Sequence, residues 1–350
     1  MKTVLADKIG SVALHKSISQ ELHLSPEIPC EEGILIAVEV LNNKATYNKL
    51  ELISGRMAQL KRGDIIVGAL GHRNALFGYS GHLPETVKPG DILQLLNIGG
   101  VIGVCDSINA NFGQPFEGKV LGAVLEFPHL GERVGVPARV GGETLDGLPP
   151  LDTQGIPIVA LAGTCMDSGK TAAACAIVSR LRHNGLTVDA FKATGVALRR
   201  DILAMEDAGA RNTLIFSDFG VVASSNETGP AVTRTMLNKL CAKKPDVVVF
   251  ELGDGLLGTY GVQAILADEE IKKALSCIIL CANDPVAAWG GVKLMQQDYN
   301  LDTSVVTGPA TDNQVGKKLI NTRLNVPAWN ALTDSTELGD EVINILKLGK

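Results

Sequence analysis

The chain has 350 residues, of which 20% are charged and 45% hydrophobic, and its formal net charge is −6. This composition is typical of a globular protein and excludes a disordered or fibrous chain. The acidic balance argues against a general nucleic-acid binder, which usually carries a basic surplus. The length allows two domains at about 100–200 residues each.

Seven cysteines, an odd number without a CxxC pair, stand mostly in apolar runs. Thiols in such runs behave as small hydrophobes, so we expect free thiols in a reducing compartment and no zinc site. No stretch approaches the ~18–20 apolar residues of a membrane span, and the N-terminus lacks the apolar core of a signal peptide. We therefore expect a soluble cytoplasmic protein that binds neither membrane nor nucleic acid.

The N-terminal part, residues 1–150, shows short β-rich runs between glycine-containing turns. The runs are 34–41, 64–70, 91–98 and 118–127, with one poorly periodic helical stretch at 43–57. Such a pattern predicts a small barrel or sandwich, which we expect to serve as an acceptor-substrate or dimerisation domain. Residues 136–157 hold four prolines and four glycines. They predict a linker or an extended connection between domains, with the domain boundary near residue 150.

Residues 151–350 alternate apolar runs with helical segments, which predicts a doubly wound α/β domain with a mostly parallel sheet. In such domains the ligand lies at the carboxyl ends of the strands. The predicted strands are 157–163, 186–191, 213–219, 246–253, 276–283 and 303–308. The predicted helices are 170–183, 202–210, 231–243, 269–275, 288–297 and a last one that begins with a capping box at 334–337 and runs to about 347.

The segment from Gly163 to Thr171, GTCMDSGKT, follows an apolar strand and opens an alanine-rich helix. This is the context of a phosphate-binding loop, in which glycines let backbone N–H groups surround the β-phosphate. Lys170 is expected to bridge the β- and γ-phosphates, and the Thr171 hydroxyl to bind Mg²⁺. The loop residues expected to bind the nucleotide are Gly163, Thr164, Asp167, Ser168, Gly169, Lys170 and Thr171. Ala172, which follows, has no polar side chain and is assigned no role.

The spacing Gly-x5-Gly-Lys-Thr is one residue longer than the common form, and the loop resembles the GTDTxxGKT loop of the dethiobiotin synthetase-like family. AFKATG and ELGDG match further segments of that family in the same order, and KATG to SDFG also resembles a sister family that includes enzymes acylating D-glutamate. The resemblance covers about residues 157–330. Cys165 and Met166 replace the family's Asp-Thr, and the proline after Lys192 is missing, which argues against dethiobiotin synthesis itself.

The resemblance implies catalytic roles for Lys170, Lys192 and Glu251, a metal site of Thr171, Asp201 and Glu251, and ATP with Mg²⁺ as cofactors. A carboxylate that ends an apolar strand beside a phosphate loop also indicates a metal ligand by itself, which favours Glu251. Asp254 could serve instead of Glu251 or face the acceptor. Asp218 is an alternative to Asp201, which is otherwise an ordinary helix N-cap.

Asn313 is expected to pair with the adenine edge, the alternative being a turn residue bonded to its own backbone. No Asn-Lys-x-Asp guanine signature is present, which favours ATP over GTP. Arg199, Arg200 and Arg234 are either ligands for an anionic substrate or surface ion pairs. His72 and His82 are either acceptor-site residues or ordinary loop histidines.

These patterns predict an ATP–Mg²⁺-dependent ligase or carboxylase-type enzyme that phosphorylates a carboxylate or carbamate of a small, possibly anionic metabolite. A nucleophile such as an amine would then displace the phosphate. The alternatives are a small-molecule kinase or acyltransferase, and a regulatory P-loop NTPase switch. Against the switch, Thr164 stands where such proteins carry a second lysine. The resemblance alone implies a homodimer.

Overall fold

The computed structural model describes residues 1–14, 18–129, 131, 134–145 and 147–348. The chain divides into two compact units. Unit 1 comprises Met1–Leu145 with the segments Val196–Arg200 and Phe216–Ala223, and unit 2 comprises Asp146–Gly195, Asp201–Ile215 and Ser224–Lys350. Two short segments that follow strands of the C-terminal part therefore pack within unit 1.

Unit 1 is built on a sheet that closes on itself, because β12 pairs with β4, β4 with β7, β7 with β11, β11 with β10, and β10 again with β12. This is the barrel alternative of the sequence prediction. Its strands are β1 (Lys2–Leu5), β2 (Lys8–Ile9), β3 (Glu21–Ser25), β4 (Leu35–Val40), β5 (Lys49–Glu51), β6 (Met57–Gln59), β7 (Ile65–Leu70), β8 (Arg73–Asn74), β9 (Ser80–His82), β10 (Ile92–Leu95), β11 (Val101–Ser107), β12 (Glu117–Glu126) and β13 (Val136–Pro137).

Alternation of side chains across these strands fills the interior of the barrel with aliphatic residues. Along β4, Ile36 and Val38 point into the same core cluster as Leu93, Ile102 and Val120. Each of these side chains is at least 96% buried. Period-2 alternation places every second residue on one face, which is why short β-rich runs were sufficient to predict these strands.

One expectation for this part of the chain is wrong. Residues 43–57 form no helix: β5 and β6 pair as a hairpin, and Glu51 N donates to Ile98 O at 2.7 Å. Tertiary backbone pairing therefore outweighs the weak helical periodicity. The first residues of the predicted linker are also part of the sheet, since β13 pairs with β12 and Val140 N donates to Gly33 O at 2.9 Å.

Unit 2 contains a six-stranded parallel sheet in the order β16-β15-β17-β14-β18-β19, which confirms the predicted doubly wound domain. The strands are β14 (Ile158–Gly163), β15 (Val188–Lys192), β16 (Thr213–Ile215), β17 (Val247–Glu251), β18 (Leu275–Cys281) and β19 (Val305–Thr307). The helices are α1 (Lys170–His183), α2 (Arg200–Asp207), α3 (Gly229–Cys241), α4 (Val262–Ala267), α5 (Glu269–Ala274), α6 (Pro285–Tyr299), α7 (Gln314–Leu324) and α8 (Ser335–Leu346).

Helices cover the parallel strands, so their side chains are buried on both faces, as in β14 and β17. The helices α4 and α7 were not predicted. Beyond Ile215 the chain turns into a short 3₁₀ helix, Phe216–Phe219, where the sequence predicted a continuing strand. The predicted capping box at α8 is not formed, because Asp334 accepts from Asn330 N and from Lys317 instead.

None of the helices in the described ranges is long and apolar enough to cross a membrane. All seven cysteines lie in described positions and are free thiols. Burial raises the pKa of Cys281, at the end of β18, to about 12. This thiol therefore stays protonated and packs as an apolar side chain.

Candidate nucleotide-binding site

The loop between β14 and α1 has the geometry of a phosphate cradle. Asp167 and Gly169 both adopt left-handed backbone conformations, with φ of 57° and 88°. Gly169 is the N-cap of α1, and only glycine adopts this conformation without a steric cost. The loop is attached to the sheet, since Thr164 N donates to Cys281 O at 2.9 Å. The chain thus makes a tight turn directly in front of the positive end of a 14-residue helix.

Lys170 folds back over this loop. Its Nζ donates to Cys165 O at 2.9 Å, and the residue is 6% exposed. Gly163 lies beneath it: a Cβ there would stand 2.8 Å from Lys170 Nζ and 2.4 Å from Ser168 Oγ. The lack of a side chain at position 163 therefore leaves room for the ammonium at the inner side of the loop.

Thr171 and Glu251 meet at the edge of the sheet. The Thr171 hydroxyl donates to Glu251 Oε2 at 2.9 Å. The contact follows from strand order, because β17 is the direct neighbour of β14 and pairs Glu251 with Leu161. Burial raises the pKa of the Glu251 carboxyl, the Asp201 carboxylate raises it further, and Lys192 and Lys170 oppose the shift. A hydroxyl and a carboxylate in contact are oxygen ligands of the kind that Mg²⁺ binds.

Lys192 and Asp201 form a buried ion pair next to Glu251. Lys192 pairs in register with Glu251 across β15 and β17, and its Nζ donates to Asp201 Oδ2. Both side chains are 9% exposed. The structure thus brings together Lys170, Thr171, Lys192, Asp201 and Glu251, the residues that the sequence assigned to catalysis and metal binding.

The side chain of Asn313 has a structural role. Its Oδ1 accepts hydrogen bonds from Val315 N and Gly316 N at 2.9 and 3.0 Å, so the side chain caps α7. Recognition of adenine by Asn313 stays a prediction. In the same segment, Gly308 approaches the loop, since a Cβ there would stand 2.4 Å from Ser168 O. The Thr-Gly-Pro turn that follows β19 is the sequence signal for this contact.

Two of the three alternative anion ligands, Arg199 and Arg234, are engaged in ion pairs. Arg199 and Asp218 lie in unit 1 and pair at 3.6 Å, and Arg234 pairs with Asp268 and Glu270 at 2.7 Å each. Arg200 begins α2. The two loop histidines also have carboxylate partners: His72 contacts Glu32 at 3.1 Å, and His82 contacts Asp106 at 2.8 Å.

The loop residues fit a bound polyphosphate. The hydroxyl oxygens of Thr164 and Ser168 are buried and have no hydrogen-bond partner within the described part of the chain. A buried polar group without a partner is costly, and phosphate oxygens would accept from both hydroxyls. Among the described residues no group of three or more His, Cys, Asp and Glu side chains could hold a metal. Phosphate oxygens would therefore complete the coordination of a Mg²⁺ ion held by Thr171 and Glu251.

No family model matches the chain, and no curated protein is similar to it. Among solved structures, the signal recognition particle receptor FtsY from Elizabethkingia anophelis aligns at 15% identity over 53% of this chain and 64% of that one, with a TM-score of 0.38. A DUF1611 family protein from Anabaena variabilis aligns at 12% identity over 60% and 64%, with a TM-score of 0.42.

The signal recognition particle 54 kDa protein from Aeropyrum pernix K1, solved in complex with GDP, aligns at 17% identity over 58% of this chain and 48% of that one, with a TM-score of 0.36. The chain thus spans less than two thirds of the length of each of these three structures. Similarities of this size carry no argument about activity. By its own strand order and loop, unit 2 is a P-loop NTPase-like α/β domain, a fold that suggests nucleotide binding.

Proposed function

We propose that unit 2 binds ATP with Mg²⁺ and that the chain is an ATP-dependent ligase acting on a small metabolite. The main support for a nucleotide site is the contact of Thr171 with Glu251. It lies beside the loop over which Lys170 folds. When bound, Mg²⁺ neutralises charge on the β- and γ-phosphates. The absence of a guanine signature supports ATP over GTP.

The position of Lys192 favours a group-transfer enzyme over a regulatory switch. It supplies a second buried ammonium, on the strand next to Glu251, in addition to the loop lysine. A fixed cation at this position would stabilise the negative charge that develops on a transferring phosphoryl group or on an acyl phosphate. The expected reaction is phosphorylation of a carboxylate or carbamate, after which an amine or similar nucleophile attacks the carbon and phosphate leaves.

The first test is binding. We expect Lys170→Ala to lose measurable affinity for a non-hydrolysable ATP analogue with Mg²⁺ in titration calorimetry, because the buried ammonium over the loop is removed. Lys318→Ala, on the exposed side of α7, is the matched control and should bind as the wild type does. Equal affinity of Lys170→Ala and wild type would contradict a phosphate loop. Tighter binding of the GTP analogue would reject the choice of ATP.

In the same series, Glu251→Gln should bind the nucleotide with an affinity within about threefold of wild type. Its rate of phosphate release should be lower than that of wild type by about 100-fold or more. The amide keeps the shape but removes the negative charge that would hold the metal. Phosphate release that a carboxylate and an amine together raise well above the rate with water alone supports the ligase. A stable phosphorylated product formed without an amine would identify a kinase instead.

A further inference from the structure

The segment after β17 contains a carboxylate, Asp254, that the binding of nucleotide and metal does not use. Asp254 is 7% exposed and has a φ of 72°, in the left-handed region that residues other than glycine rarely adopt. Asparagine and aspartate tolerate this region better than other side chains, yet such conformations concentrate at functional sites, where the surrounding structure maintains them.

The residues on either side of Asp254 fix its position. Gly253 packs against the Lys192 strand, since a Cβ there would stand 3.0 Å from Lys192 Cε. Gly255 packs against the phosphate loop, where its Cβ would stand 2.9 Å from Cys165 Cα and from Thr164 O. The chain then returns to the loop through the hydrogen bond from Leu256 N to Gly163 O at 2.8 Å. Asp254 therefore lies between the end of β15, where Lys192 stands, and the phosphate loop.

The side chain of Asp254 occupies space that a glycine provides. A Cβ at Gly258 would lie 2.2 Å from Asp254 Oδ2. A buried carboxylate here adds negative charge to the neighbourhood of a polyphosphate, which weakens nucleotide binding rather than strengthening it. Its charge is suited instead to a nucleophile that carries hydrogen-bond donors, such as water or the amine that attacks the acyl phosphate.

We propose that Asp254 orients the nucleophile, a group with an N–H or O–H bond, by accepting a hydrogen bond from it. This inference rests on the proposed nucleotide site. With water as the nucleophile, its oxygen bonds to the γ-phosphorus and the bond from that phosphorus to the bridging oxygen breaks. ADP leaves with the electron pair, and the proton of the water passes through the carboxylate to solvent. With an amine as the nucleophile, its nitrogen bonds to the carbonyl carbon of the acyl phosphate, the bond from that carbon to the phosphate oxygen breaks, phosphate leaves with the electron pair, and the N–H proton passes through the same carboxylate to solvent.

The test compares Asp254→Asn and Asp254→Gly with Lys244→Gly, which changes an exposed residue with a φ of 51°. Each variant is examined for its melting temperature, its affinity for the ATP analogue with Mg²⁺, and its phosphate release from MgATP. For both Asp254 variants we expect a melting temperature within about 3 °C of wild type or higher, because both residues suit the left-handed backbone. Nucleotide affinity should be equal or tighter, and phosphate release should fall by about 100-fold or more. Lys244→Gly should release phosphate at the wild-type rate.

A large fall in melting temperature in both Asp254 variants would show that the residue maintains the fold, and unchanged phosphate release would show that it does not orient the nucleophile. A wild-type rate no higher than that of Lys170→Ala would also overturn the inference, because a residue that orients water must raise hydrolysis above background. Failure of the nucleotide site itself is seen separately, as the absence of analogue binding to the wild type.

Discussion

At the scale of single residues, the candidate site balances its charges in pairs. Lys170 and Lys192 supply two buried ammonium groups, and Asp201 and Glu251 supply two buried carboxyl groups. Buried charges persist only when they are paired or hydrogen-bonded, so each of these residues depends on its neighbours for its charge. A nucleotide that brings further negative charge and Mg²⁺ would fit this set, since the Lys170 ammonium donates to a neutral carbonyl oxygen, that of Cys165.

A second residue-scale effect concerns His72 in unit 1. Its Nδ1 lies 3.1 Å from Glu32 Oε2, and the hydrogen bond to Glu32 raises the pKa of the imidazole. The protonated form is therefore favoured in the folded protein. Its contribution to stability is complete below the unfolded pKa, about 6.5, and is lost as the pH rises through the higher folded pKa.

We expect the difference in melting temperature between wild type and His72→Gln to be largest below the unfolded pKa of about 6.5 and to fall as the pH rises through the raised pKa of His72. His129→Gln, at an exposed position, is the matched control. A difference that grows with pH would contradict the ion pair with Glu32.

At the scale of elements, α3 and α5 are joined by a buried ionic contact. Arg234 on α3 bonds Asp268 through Nε and Nη2, at 3.0 and 2.7 Å, and also reaches Glu270. Asp268 accepts from Glu270 N and Ile271 N as well, so the same carboxylate caps α5. From the sequence, Arg234 was either a ligand for an anionic substrate or part of a surface ion pair. The structure shows the pair but buries it, with 8% and 7% of the two side chains exposed.

Removal of Arg234 should therefore be costly. Arg234→Ala leaves the Asp268 carboxylate buried without its guanidinium, and we expect a loss of about 3–5 kcal/mol in the free energy of unfolding in urea. Arg323→Ala, near the exposed end of α7, should stay within about 0.5 kcal/mol of wild type. A similar small change in both variants would show that the buried pair contributes little.

At the scale of the whole molecule, unit 1 has a hydrophobic core cluster inside its barrel, and unit 2 has one around its parallel sheet. The proposed nucleotide site belongs to unit 2. A ligand that binds only the folded state stabilises it by mass action, by about 2.7 kcal/mol at a hundredfold excess over Kd. The expected homodimer stays a prediction, which light scattering would test.

We expect an MgATP analogue at a hundred times its Kd to raise the melting temperature of one calorimetric transition by roughly 5–10 °C, the size expected for a unit like unit 2. Lys170→Ala should show no rise at the same concentration. An equal rise in that variant, or with Mg²⁺ alone, would place the ligand elsewhere.

The sequence by itself determined the elements whose signals are local. The turn residues and period-2 runs of unit 1 predicted β4, β7, β10 and β12, and the GTCMDSGKT segment predicted β14, the loop and the bounds of α1. Each depends on residues that are neighbours in the chain. The short helix α4 gave no such signal, and the weak periodicity at residues 43–57 was overruled by pairing with distant backbone.

Only the tertiary structure determined which residues that are distant in the chain come into contact. The resemblance of short segments named Thr171, Lys192, Asp201 and Glu251, but their contacts follow from the order β15-β17-β14, which local patterns do not encode. Closure of the barrel depends likewise on β10 pairing with both β11 and β12. The packing of 196–200 and 216–223 within unit 1 had no local signal either, because it depends on distant residues such as Asn97, 100 positions before Ala197, whose Nδ2 donates to Ala197 O at 2.8 Å.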